Sequence, residues 1–203
     1  MRMSNKNTAD TPAVVERYSR CTLPTGYGEF EVVAYRDGAH EHLAIYSGEL
    51  SGEVLTRVHS ECLTGEVFHS LKCDCREQLE LALKRIAAEG GAVIYLRQEG
   101  RGIGLGNKLR AYEQQALGHD TVDANEVLGF EADPRHYSMV PAILQDLGIE
   151  SVALMTNNPA KIEALQALGV TVRREPHVVK PHAANRDYLE TKRARMKHLL
   201  TFD

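Results

Sequence analysis

The sequence predicts an α/β protein: a mixed sheet flanked by helices, β-rich in its N-terminal half, with βαβ units in its C-terminal half. Three patterns carry that reading. Residues Glu29 to Arg57 alternate and are β-branched, the period turns helical after Asp74, and two strand–loop–helix successions follow. At 203 residues, against roughly 150 per domain, the chain is long enough for one substantial core. Residues 1–14, polar and aperiodic, are expected to be a flexible tail, and residues 15–203 a single domain.

Between Glu29 and Arg57, Phe30, Val32, Val33, Ala44, Ile45 and Tyr46 mark half-buried positions of antiparallel strands, with Gly38, Gly48 and Gly52 near turns. Leu79, Ala82, Leu83, Ile86 and Ala87 then follow helical spacing up to Gly90-Gly91. Asp74 is placed as the N-cap of that helix, with Glu77 completing a capping box and Cys75 on the first turn. The strand Ala92–Leu96 leads through a glycine-rich loop to a helix with Leu105, Leu109, Tyr112 and Ala116 on one face. Asp133-Pro134 is expected to open another helix, kinked at Pro141. The strand Val152–Met155, the cap Asn158-Pro159, the run Ile162, Leu165, Leu168 and the strand Val170–Val172 read as a parallel βαβ unit. From Arg186 the chain is amphipathic, with Leu189, Met196, Leu199 and Leu200 opposite a basic face.

Composition removes several function classes. Lys plus Arg number 24 and Asp plus Glu 28, a formal charge of −4, which argues against nucleic acid as a partner held by phosphate neutralisation. No apolar run approaches the ~18 residues of a membrane span, so no membrane partner is expected. The N-terminus has Arg2 and Lys6 but no apolar signal core, so a cytoplasmic location is expected. In a reducing compartment cysteines serve metal binding or thiolate chemistry more than disulfides.

Cys62-x10-Cys73-x-Cys75 then becomes the sharpest feature. Three protein ligands leave a fourth position on zinc for water or substrate, the catalytic arrangement. Buried apolar thiols or a redox pair are the alternatives, and His59 or His69 remain open as a fourth ligand. Cys21, far away, reads as a buried thiol. The segment Arg97 to Lys108 joins glycines to Arg97, Arg101 and Lys108 between a strand and a helix, which suits phosphate, although a mobile turn explains it as well. Thr156 to Lys161 repeats that placement at a second helix start. Together these describe a zinc hydrolase acting on a phosphate-bearing substrate.

The segments Arg57-Val-His-Ser-Glu-Cys-Leu-Thr-Gly65, Lys72-Cys-Asp-Cys75, Arg97-Gln-Glu-Gly-Arg-Gly-Ile-Gly-Leu105, Asp120 to Asn125, Leu128-Gly-Phe130 and Met155 to Lys161 strongly resemble GTP cyclohydrolase II, in order, from about Leu23 to Leu200. That family opens the imidazole ring of GTP and releases formate and diphosphate, the first step towards riboflavin. The resemblance implies Zn2+ on Cys62, Cys73 and Cys75, Mg2+ with the GTP phosphates, and a homodimer. It places Arg57, Val58, His59, Ser60, Glu61, Gln78, Glu99, Gly100, Arg101, Thr121, Thr156 and Lys161 at GTP-binding positions. It makes Asp133 a general base, Arg135 a nucleophile on the α-phosphorus and Tyr112 a participant in ring opening. A guanidinium is protonated at ordinary pH, so electrostatic stabilisation by Arg135 is the competing role. The chain departs from the family pattern at Arg76, Gly106 and Lys197, where glycine, leucine and glycine are common. A relative that keeps zinc and GTP but stops early, releasing diphosphate or only the formylated product, or a structural-zinc module binding nucleotide or RNA, would be the other readings; a 6% aromatic content disfavours RNA stacking.

Overall fold

The β-branched N-terminal half folds into a meander: β1 (Glu16–Thr25), β2 (Gly28–Asp37) and β3 (His40–Ser47) pair antiparallel in sequence order. β3 pairs antiparallel with β5 (Gly91–Leu96), and the sheet then runs parallel through β4 (Glu53–Ser60), β6 (Ser151–Met155) and β7 (Thr171–Glu175). The order β1-β2-β3-β5-β4-β6-β7 is a seven-stranded mixed sheet, as the α/β reading expects. This computed structural model describes residues 13–38, 40–131, 133–181 and 185–200; nearly all of the expected tail lies outside the described residues. No described helix is long and apolar enough to cross a membrane.

Alternation along the strands gives the sheet two apolar faces. Phe30, Val32 and Val93 pack with Ala82 and Ile86 of α2 (Cys75–Glu89) on one. Val33, Tyr35, Ala44 and Ile94 pack on the other, with Val140, Ile143 and Leu144 of α5 (Val140–Asp146) and Leu165 of α6 (Pro159–Ala167). Helices on both faces of β4, β5 and β6 leave a crevice at the carboxyl ends of these parallel strands, where open α/β sheets gather ligands. The short α1 (Leu63–Glu66), the 3-10 turn Glu99–Gly102, α3 (Leu105–Ala116) and α4 (Thr121–Val127) surround that crevice, and α7 (Arg186–Met196) supplies further residues to its wall.

Several expectations need correction. β4 was expected within the antiparallel set but is parallel to both its neighbours, because its partners β5 and β6 each follow a helical crossover. α5 begins at Val140, with Pro141 in its first turn rather than kinking it; Asp133 and Pro134 lie in the preceding loop, and the Asp133 carboxylate is taken by Arg135. Asp74 precedes α2, but its carboxylate makes no capping bond and serves Gln78 and Lys192 instead. α3 turns Lys108, Ala111 and Tyr112 inward, leaving Leu105 and Leu109 exposed. Cys21 lies on the exposed β1 and is itself exposed. The cap expected at Asn158 is present, its Oδ1 accepting from the Ala160 N–H at 3.1 Å ahead of Pro159.

Candidate active site

β4 ends at Ser60, and the chain turns at once into α1, which brings Cys62 over the crevice. Cys73 and Cys75 arrive on the loop and first turn that open α2. Their three Sγ atoms lie within 4.8 Å of one another, with Cys62 and Cys73 at 3.7 Å. Gly65 makes that approach possible, since a Cβ there would stand 3.0 Å from Cys73 Sγ and 3.2 Å from Cys62 Sγ. Donation from the Cys73 and Cys75 thiols, with Lys108 nearby, holds Cys62 far below the usual thiol range. The same bonds push Cys73 up to about 11 and Cys75 well above an ordinary thiol. Three soft donors converging on one point with little room for a side chain between them can hold a metal ion. No histidine joins them among the described residues: His59 is buried against Glu66 at 2.8 Å, and His69 is exposed.

Glu66 escaped sequence reasoning, yet it anchors this corner. It accepts from His59, from the Cys62 N–H at 3.0 Å and from the Tyr95 hydroxyl. His59, stacked on Tyr95, is held neutral by burial. Glu99 does the same on the other side, accepting from the Leu63 N–H at 2.6 Å, the Gly100 N–H at 2.7 Å and Lys108 Nζ at 2.7 Å. Lys108 also reaches Cys62 Sγ at 3.1 Å; burial opposes its charge, but Glu99 and Cys62 raise it above the ordinary lysine value. The glycine-rich loop therefore spends the Gly100, Ile103 and Gly104 N–H groups on its own folding, and projects Arg101 into the crevice from a left-handed backbone. Gly102 takes a left-handed φ of 93° where this loop runs beside the 133–135 loop, a conformation that favours glycine.

The Tyr112 hydroxyl stands 3.3 Å from Thr64 Oγ1, which is 3.8 Å from Cys62 Sγ, and burial raises Tyr112 to about 12. Arg57, on β4, donates to the Met155 carbonyl at 2.7 Å and to Gln78 Oε1, and leaves a buried Nε unpaired. Burial pulls its guanidinium down to about 10, which still leaves it charged at neutral pH. Lys161 is buried with Nζ 2.6 Å from the Val58 carbonyl and 5.5 Å from the Tyr137 ring centroid. Burial, then the charges of Arg57 and Arg135, hold it well below an ordinary lysine. Arg135 is gripped by Asp133 through Nε at 2.6 Å and through NH2. Burial alone would lower Arg135 and raise Asp133, but Tyr137 and Asp133 keep the guanidinium charged and Arg135 keeps the carboxyl ionised.

Arg57, Ser60, Glu61, Gln78, Glu99, Gly100, Arg101, Tyr112, Arg135, Thr156 and Lys161 thus line the same crevice as the three cysteines, together with His59. Val58 contributes its carbonyl to Lys161, and Asp133 stands behind Arg135. Thr121 heads α4, and its side chain lies outside the described residues. Sequence reasoning missed Glu66, Tyr188, Lys192 and His198; the last three reach the crevice from a segment whose local signal is only amphipathic.

A family model described as GTP cyclohydrolase II matches residues 16–176. The chain belongs to that family. A GTP cyclohydrolase-2 of Teredinibacter turnerae is 51% identical over 195 residues, covering 93% of this chain and 98% of that protein. A GTP cyclohydrolase-2 of Archaeoglobus fulgidus is 52% identical over 194 residues, and the riboflavin biosynthesis protein RibBA of Bacillus subtilis 50% identical over 196. This cyclohydrolase-family chain spans about half the length of those two, 51% and 49%, against nearly all of the first.

Proposed function

We propose that the chain is a GTP cyclohydrolase II: it hydrolyses GTP to formate, diphosphate and the 2,5-diaminopyrimidine nucleotide that begins riboflavin biosynthesis. Family membership and relatives of matching length that carry this name support the reading. The observation that carries it is the pocket itself, where a cluster of three cysteine sulfurs opens beside Arg57, Arg101, Arg135 and Lys161. Three cysteine sulfurs and several basic side chains in one crevice suit a substrate that needs both a metal and phosphate recognition.

Cys62, Cys73 and Cys75 would hold Zn2+, which when bound lowers the pKa of a coordinated water and so supplies a nucleophile for ring hydrolysis. Tyr112, beside the cluster, orients the base for ring opening. Arg57, Arg101 and Lys161 neutralise the phosphates, a task shared with Mg2+. Gln78, Glu61, Ser60 and Thr156 complete the GTP contacts from the pocket wall, with Val58, His59, Glu99, Gly100 and Thr121 at adjoining positions. Asp133 keeps Arg135 protonated, which favours stabilisation of charge developing at phosphorus over attack by a guanidinium nitrogen. We place the protein in the cytoplasm, as a homodimer; the outward Leu105, Leu109 and Leu117 offer apolar surface for the second copy. Purified protein incubated with GTP and Mg2+ is expected to release formate and diphosphate and to hold about one zinc per chain. Intact GTP with zinc bound would overturn the reading.

A further inference from the structure

The family match ends at residue 176, yet one wall of the crevice comes from beyond it, through Tyr188, Lys192 and His198. Lys192 is already committed. Its Nζ lies 3.0 Å from the Oδ1 of Asp74, which stands in sequence between Cys73 of the loop and Cys75 of α2's first turn, and Asp74 passes the constraint through Gln78 to Arg57. His198 differs, because its Nε2 is buried and has no hydrogen-bond partner among the described residues.

The backbone fixes where that imidazole sits. The His198 N–H donates to the Lys192 carbonyl at 3.1 Å, and the Leu199 N–H donates to the Asn157 carbonyl at 2.8 Å. The first bond closes the end of α7 and the second pins the turn to the loop after β6, beside Thr156 and the start of α6. The charges that bear on the ring are all positive, from Lys192, Arg135, Lys161 and Arg101, and with burial they hold it down to about 3. A neutral ring donates through one nitrogen. A buried polar atom left unpaired costs roughly 1–3 kcal/mol, and in the tautomer that carries its proton on Nε2 this ring would have that cost removed by a ligand acceptor.

We infer that His198 is a further substrate-binding residue whose Nε2–H donates to a phosphate oxygen of the nucleoside triphosphate, delivered by the turn after α7. The inference rests on the reading of the crevice as a GTP site. An anionic oxygen suits the position because Lys192, Arg135, Lys161 and Arg101 lie around the ring and attract a phosphate, while Nε2 has no acceptor among the described residues. The turn then makes the C-terminal segment part of substrate recognition, and Lys192 couples that segment to the Cys73–Cys75 loop.

The test measures binding of GTP and of guanosine to the full-length, zinc-loaded protein by calorimetry, for wild type, His198→Ala and His198→Gln. His198→Ala is expected to weaken GTP about tenfold or more while guanosine affinity stays at the wild-type value, and His198→Gln, which keeps a donor, to fall between. The same order is expected in KM, with kcat changing less. Unchanged GTP affinity in His198→Ala would overturn the inference and leave the cyclohydrolase reading standing. Equal losses for GTP and guanosine would overturn it as well, by making His198 a packing residue. A wild-type protein with no affinity for GTP would overturn the cyclohydrolase reading, and the inference with it.

Discussion

Along β1 every side chain is exposed, and the ion pairs of the antiparallel half, Arg20–Glu31 at 2.7 Å and Arg36–Glu41 at 3.2 Å, face solvent. At the carboxyl ends of β4 and β6 the charges are buried instead: Arg57 is 7% exposed, Lys161 4% and Asp74 3%. Surface pairs exchange water for each other at little net gain. Buried charges cost several kcal/mol each to desolvate, a cost the fold bears only where partners or a ligand offset it. Arg57 and Lys161 have carbonyl and amide partners but no carboxylate within hydrogen-bond reach among the described residues, so this half of the sheet holds the charge of Arg57 and, in Lys161, an amine that an anion would help to protonate. The antiparallel half is scaffold, and the parallel half concentrates the chemistry.

The contrast can be broken most severely at the thiols. Cys75→Ser is expected to reduce bound zinc and to lower formate release by about 100-fold or more, while some diphosphate release persists from the cation side of the pocket. Metal analysis and parallel assays of the two products decide this, and equal loss of both would mean that the two halves of the site act as one unit. The next effect is in pH. Lys161 lies below its ordinary value in the empty site, and a polyphosphate would raise it, so GTP binding takes up a proton and affinity falls as pH rises from the lowered value towards ~10.4. Titrations started at about pH 8, above the ~6 of a terminal phosphate, would show a shallower slope in Lys161→Met.

A smaller effect is expected at Lys197. This residue ends α7 in the left-handed region at φ 54°, a conformation that costs a side-chain-bearing residue about 1–2 kcal/mol and that glycine adopts freely. Lys197→Gly should make opening of the C-terminal turn about fivefold rarer, measured by hydrogen exchange or proteolysis there. The glycine that the resemblance leads one to expect here would have a backbone reason, and Lys197 takes the left-handed conformation in its place. Gly106 is the reverse case, since a Cβ there meets nothing within 4 Å and the backbone has no positive φ that would call for glycine. Nothing in the structure explains Arg76. The smallest effect belongs to the scaffold: Arg20→Ala should leave turnover and melting temperature unchanged, and a fall in turnover would show that the two halves are not separable.

What was legible in the sequence was local. Cys62, Cys73 and Cys75 fall within one short stretch, Asn158-Pro159 caps α6 through its neighbour, and β6, α6 and β7 are consecutive. What was illegible depended on distant partners. The carboxylates of Asp74 and Asp133 look like caps until Lys192 and Arg135 claim them. The leucines of α3 look like a buried stripe, but the crevice needs Lys108 and Tyr112, so the polar face turns inward. β1 carries no burial signal because it buries nothing, and the direction of β4 is set by strands that come later in the chain.

The same distances order the assembly of the site as the chain folds. The thiol cluster closes a loop of 13 residues from Cys62 to Cys75, whereas the bond from Arg57 to the Met155 carbonyl joins residues 98 apart. Closing the longer loop costs about 2 kcal/mol more in chain entropy. A partly folded chain can therefore bring its three thiols together before the Arg57 side of the crevice is assembled, and a metal ion held there would tie β4 to α2 before the later strands arrive.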